Sequence, residues 1–179
     1  MIWKIDPTHS HMSFAIRVVS VSTTRGRFHA FRGHLHIDEQ NPANSWVDAE
    51  VDAASIDTHN RLRDAHLRSA AFFAVKQYPT ITFQSTHVEH VGGQCYKVIG
   101  NLSMHGVTKP ITFDVEYRGQ STLMGAHRSD REGNDQSQRF GVGRGAAVQL
   151  AASSIATIEI ELEAVQQAVE VQEAVATAQ

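Results

Sequence analysis

Eleven histidines stand in a chain of 179 residues, and two pairs have the spacing of a chelate. His9-x-His11 and His34-x-His36 each put two rings on one face of an extended strand, a geometry that can hold zinc, nickel or copper. A third ligand must then come from a neighbouring strand. His59 and His66 lie two helical turns apart, roughly 10 Å, too far to share one ion. The single cysteine, Cys95, excludes an intrachain disulfide and a Cys-rich zinc module. It follows a Gly-Gly turn and reads as a structural thiol. No Gly-x-Ser-x-Gly elbow offers a hydrolase nucleophile. Gly141-x-Gly143-x-Gly145 follows no strand–helix unit, so it does not read as a dinucleotide loop. The chemistry on offer is histidine–metal chemistry or none, and the elements that carry the histidines decide between them.

Those elements have a period of two. Met12, Phe14, Ile16 and Val18 alternate with His11, Ser13, Ala15 and Arg17. Gly33, Leu35 and Ile37 alternate with Arg32, His34 and His36, and Val47, Ala49 and Val51 with Asp48, Glu50 and Asp52. Ile81 with Phe83, the sets 96–102 and 111–117, and Ile158, Ile160 and Leu162 bring the strand signals to seven. Residues two apart share a strand face, so the chain reads as an antiparallel all-β sandwich or barrel. Both histidine pairs then lie on the polar face. They are expected to be surface groups, and no metal ligand and no catalytic residue is assigned. A histidine-based metal-binding protein or enzyme on the same barrel is the alternative function.

Three stretches break the pattern. Ser55 to Phe73 reads as a short helix over about 59–70, with Thr58 available as a cap. Its Arg63, Asp64, His66 and Arg68 either meet a polar head group or fix the helix to the barrel rim, and the second is favoured. Phe72 and Phe73 are expected to anchor that helix. Residues 119–145 hold no clean period and read as a long loop or weak hairpin. Residues 164–179, rich in Ala, Gln and Glu, carry valines at helical spacing and read as a C-terminal helical tail beyond a barrel of residues 1–163.

A formal charge of −3 argues against a generic nucleic-acid or anionic-membrane binder. No apolar run reaches the length of a membrane helix. The opening Met-Ile-Trp-Lys-Ile-Asp-Pro has no basic segment followed by an apolar stretch. A cytoplasmic location is therefore expected, or a periplasmic one if a leader is missing.

Further motifs carry a resemblance. They run Trp3-x-Ile5-Asp6-x-x-His9-Ser10-x-x-Ser13-Phe14, Gly26-x-Phe28-x-x-Phe31-x-Gly33, and Ser55-Ile56-Asp57-Thr58 leading to Arg63-Asp64-x-His66-Leu67-Arg68-Ser69. Then come Phe72-Phe73, Tyr78-Pro79-x-Ile81-x-Phe83 and Gly100-x-Leu102-x-x-His105-Gly106-Val107-Thr108-Lys109-Pro110. In this order the chain resembles the YceI-like family of lipocalin-like barrels associated with polyisoprenoid binding. The first motif is similar to the family's first strand and the second to its second. The family's Arg-Asp-Phe-Gly-like strand has its nearest match at Arg139-Phe140-Gly141.

The resemblance implies an eight-stranded antiparallel barrel with a short helix between strands. It implies an apolar interior that carries a polyisoprenoid or other long-chain lipid, quinone-like molecules and fatty amides included. It implies no catalysis and no cofactor beyond the bound lipid, no nucleic acid, and a homodimer. Alternation alone favours a barrel filled by its own side chains; the resemblance turns the inward list into a lining. That list is Phe14, Ile16, Phe28, Leu35, Val51, Phe83, Val98, Leu102, Phe113 and Val115. Small inward residues, Gly33, Ala49 and Gly100, are expected to leave the channel open. A one-residue slip in any strand would invert its share of the list.

Overall fold

Alternation of apolar and polar side chains lets each strand bury one face, and the chain folds accordingly into antiparallel strands. The computed structural model describes residues 2–18, 22–119, 137–141, 147–151 and 154–166. The strands are β1 (Ile2–Ile5), β2 (His11–Val18), β3 (Ser22–Phe28), β4 (Phe31–His36), β5 (Trp46–Asp52) and β6 (Ile56–Asp57). After helix α1 (Arg61–Arg68) come β7 (Thr80–Gly92), β8 (Cys95–Met104), β9 (Val107–Glu116), β10 (Ser137–Gly141), β11 (Ala147–Ala151) and β12 (Ser154–Gln166).

Twelve strands stand where eight were implied, because four of the barrel's eight courses are broken. One edge of β12 pairs with β1 (Ile5↔Ala164) and β2 (Met12↔Ile160). Its other edge pairs with β10 (Phe140↔Leu162) and β11 (Val148↔Ala156). β4 and β3 pair with β1 and β2, and β5 and β6 pair with β4 and β3. So β1–β2, β3–β4, β5–β6 and β10–β11 each form one interrupted course. β7, β8 and β9 follow in turn, and Gly141↔Glu116 joins β9 to β10. The circuit closes through that single pair, and among the described residues β9 from Val107 to Val115 pairs with β8 alone.

Each break that the side chains describe is satisfied by polar groups. Between β1 and β2 the buried Ser10 hydroxyl accepts from the Glu163 N–H (2.8 Å) and donates to the Glu163 carbonyl (3.1 Å). A side chain thus stands in for a missing backbone rung. Asp6 accepts the Thr8 N–H at 2.8 Å and lies 2.7 Å from His9 Nδ1. That bond to His9 holds the Asp6 carboxyl below its ordinary range. Between β5 and β6, Arg68 of α1 donates to the carbonyls of Ala54 (2.7 Å) and Ile56 (2.5 Å). The helix therefore closes the break in the course beside it.

Two sequence expectations are corrected. The helix is Arg61–Arg68, capped by Asn60, whose side chain accepts the Arg63 N–H at 3.0 Å, while Thr58 is buried beneath it. Residues 164–166, assigned to a C-terminal helix, extend β12, because Ala164 is fully buried opposite Ile5. The boundary after residue 163 therefore falls inside a strand, and residues 167–179 lie outside the described residues. Within 119–145, Ser137–Gly141 is strand β10, where the resemblance matched a family strand to Arg139-Phe140-Gly141, and the stretches 120–136 and 142–145 lie outside the described residues.

Candidate functional site

The inward side chains form two packed groups and leave space between them. One group gathers Trp3, Ile5, Met12, Phe31, Leu35, Val51 and Ile81. The other centres on Ile111 and Phe113, with Phe83, Val98 and Val115 against them. A cavity of about 170 Å³ draws its wall from both. Its described lining contains no charged residue, and Ser13 and Thr82 are its polar members.

Aromatic rings form two faces of this wall. Phe14 and Phe28 lie 5.5 Å apart between ring centres, and Phe73 meets Phe28 edge-on at 6.1 Å. Phe83 and Phe113 meet edge-on at 5.1 Å. These tilted and edge contacts lock the rings by their quadrupoles as well as by burial. Met12 and Met104 add unbranched, adaptable side chains.

Nine of the ten residues assigned to the lining are found there: Phe14, Ile16, Phe28, Val51, Phe83, Val98, Leu102, Phe113 and Val115. Leu35 is not. It is packed in the first group, beside its strand partners Trp3 and Val47. Ala49, expected as a small inward residue, lines the cavity too, while the sequence reading omitted Ile5, Met12, Val47, Ile81, Ile158, Ile160 and Leu162, which also line it. All but Ile5 stood in the alternating sets, so the signal was present. Phe73 and Met104 had no such signal: Phe73 follows a helix, and Met104 ends a strand.

The inward glycines do not open the channel. A Cβ on Gly100 would lie 2.5 Å from both the Gln84 carbonyl oxygen and the Phe83 ring, and one on Gly33 would lie 2.2 Å from the Asp48 carbonyl oxygen and 2.8 Å from Ile5 Cδ1. Neighbouring backbone and side chains already fill the room those glycines free. The space that remains lies before Ala49 and the aromatic walls.

The helix segment is a fixture. Buried Asp64 accepts from the Thr58 N–H (2.9 Å) and Thr58 hydroxyl (2.6 Å). Arg63 donates to Thr58 Oγ1 (2.7 Å) and to the Thr58 carbonyl (2.8 Å). Phe73 packs onto the barrel, as expected, whereas Phe72 is half exposed and meets the His66 ring edge-on at 4.8 Å. Just before the helix, Asp57 lies 2.9 Å from His29 Nε2 and accepts the His59 N–H at 2.8 Å. These bonds, His29's first, lower its carboxyl to about 2.

The histidine pairs point outward. His11 is exposed, His34 Nδ1 lies 3.7 Å from Asp48, and His36 stacks on Trp46 at 6.4 Å. Among the described residues, no three His, Cys, Asp or Glu side chains gather where they could hold a metal ion.

With this geometry in hand, comparison with known proteins is informative. The pattern of the YceI-like domain matches residues 3–168. A UPF0312 protein of Yersinia pestis (strain Pestoides F) is 38% identical over 135 residues, covering 74% of this chain and 70% of its own. A Yersinia enterocolitica UPF0312 protein matches to the same extent. The crystal structure of the Campylobacter jejuni YCEI protein superimposes with a TM-score of 0.68 at 23% identity, over 85% of this chain and 90% of that one. A polyisoprenoid binding domain from Saccharophagus degradans gives 0.64 at 14% identity, over 92% and 98%. The structural likenesses speak for the fold, and the sequence match over nearly the whole length speaks for descent: the chain belongs to the YceI-like family.

Proposed function

We propose that this protein binds the tail of a long-chain polyisoprenoid, or of a related quinone-like or fatty-amide amphiphile, inside the barrel and carries it without chemistry. The observation that supports this most is the cavity between two aromatic walls, whose described lining carries no charged residue. Such a wall recognises an apolar chain by area. At roughly 25 cal/mol per Å², a prenyl tail burying a few hundred Å² gains on the order of 10 kcal/mol before ordering costs. At about 170 Å³ the cavity is smaller than a typical drug-sized site. It suits a slender chain better than a bulky ring system, with Met12 and Met104 able to shift around the occupant. The relative described as a polyisoprenoid binding domain agrees with this reading.

Native mass spectrometry of gently purified protein, followed by organic extraction, tests the proposal. A stoichiometric adduct whose mass steps by prenyl units is the expected result. An apo mass, with no uptake of an added prenyl alcohol, would refute it.

A further inference from the structure

Among the described residues, six large apolar side chains remain well exposed: Ile2, Trp46, Leu62, Phe72, Val91 and Val107. The antiparallel courses sort them to the two ends of the barrel. Ile2, Trp46 and Val91 lie at the end holding the 37–45 connection and the 93–94 hairpin. Leu62, Phe72 and Val107 lie at the end holding the 58–79 connection and the 105–106 hairpin. Tyr78 of that connection tilts against His105 of that hairpin at 4.8 Å, so the two form one surface.

Charge separates the ends. The 37–45 connection carries Asp38 and Glu39 and no Lys or Arg. The 58–79 connection carries Arg61, Arg63, Arg68 and Lys76 against one acid, Asp64, which is buried and bound to Thr58. Lys109 follows on β9, exposed. The bordering acids are engaged, Asp52 by the Ala54 N–H and Asp57 by His29 and the His59 N–H. The net charge of −3 gives no general attraction to anions, yet this end presents a local cationic surplus around exposed apolar groups. Leu62 is 86% exposed, and it shares a helix face with His66, whose ring meets Phe72. Apolar groups ringed by Lys and Arg are the composition of a surface that seats in an anionic lipid interface.

We propose that the helix-bearing end docks on an anionic bilayer, with Leu62, Phe72 and Val107 entering the interface and Arg61, Lys76 and Lys109 meeting lipid phosphates. This rests on the carrier reading, since a lipid held in the barrel must be exchanged with a membrane. Phe73, next to Phe72, lines the cavity, so the docking face and the cavity wall are contiguous in the chain.

The test is co-sedimentation of the full chain with phosphatidylcholine vesicles, with and without roughly one-third phosphatidylglycerol. Anionic vesicles should retain the protein, and raised salt should release it. Arg61→Gln with Lys76→Gln should weaken retention on the order of tenfold. Leu62→Ser with Phe72→Ser should weaken it similarly, while Trp46→Ser with Val91→Ser at the opposite end should leave it unchanged. Circular dichroism confirms that each variant is folded. Retention that ignores the first two pairs, or equal retention by neutral vesicles, overturns the proposal. So does binding to polyglutamate that matches binding to anionic vesicles, which would assign the face to an acidic protein. Uptake of a fluorescent prenyl alcohol from dilute ethanol, without vesicles, is measured alongside. Uptake without vesicle binding refutes docking alone, and vesicle binding without uptake refutes the carrier reading alone.

Discussion

Asp64 shows what the charged residues after β6 do. It is 5% exposed and spends its acceptors on Thr58, a residue itself buried under the helix. A carboxylate so placed stabilises by satisfying donors that water cannot reach. Asp64→Ala should therefore cost about 2–3 kcal/mol in urea unfolding, the penalty of leaving those donors unpaired. Asp64→Asn, which keeps one acceptor oxygen, should cost less; equal losses would mean that the bonds to Thr58 contribute little. Asp57 works differently. Its ordinary value of 3.8 falls to about 2 in the fold, chiefly through His29 and then the His59 N–H. A lowered carboxyl contributes stability that is complete above the unfolded value and drains as pH falls through the folded one. The acid limb of stability between about pH 4 and 2 should thus be shallower in Asp57→Asn. In His29→Ala, the Asp57 carboxyl resonance should titrate closer to 3.8 in NMR. An unmoved Asp57 titration would remove His29 as the cause.

The strands were legible because alternation reports which face is buried. Met12, Phe14, Leu35, Val51, Ile81 and Phe113 are each buried on the side that the pattern assigns. Breaks within a course were not legible, because they depend on distant partners. Nothing near Ser10 in sequence announces that its hydroxyl will serve Glu163, a residue 153 positions away. At residues 164–166 the reading failed for a related reason: Ala and Val fit helix and strand alike, and the burial of Ala164 opposite Ile5 makes these three residues strand. Nine cavity residues were found from parity together with the family resemblance, whereas Leu35 shows the limit of parity, which separates inside from outside and not lining from packing. Gly100 shows the same limit, being inward and small with its space taken by Phe83. Gly100→Ala should therefore overpack the β7–β8 pair and cost about 1–3 kcal/mol in thermal or urea unfolding. The added Cβ also meets the Gln84 carbonyl oxygen at 2.5 Å, so a neutral result would mean that the β7 backbone shifts as well as Phe83 swinging into the cavity, and ligand uptake should then fall.

At the scale of the whole barrel, the cavity is a thermodynamic cost as well as a site. At about 24 cal/mol per Å³, some 170 Å³ of unfilled apolar space costs on the order of 4 kcal/mol. A domain whose whole stability is about 5–15 kcal/mol carries such a defect only if something offsets it. A bound tail would offset it by filling the space, and mass action adds about 2.7 kcal/mol at a ligand concentration a hundred times Kd. Two results follow for one variant, Ala49→Phe, which pushes a ring into the space before the aromatic walls. The empty protein should melt higher than the empty parent, because the ring recovers contacts that the cavity forgoes. Uptake of a prenyl alcohol should be lost, and with it the rise in melting temperature that the ligand gives the parent. A barrel whose interior served packing alone would show the opposite on heating, since an added ring would strain it and lower the melting temperature. Melting curves of both proteins, with and without the alcohol, therefore separate a cavity kept for a ligand from an accident of packing.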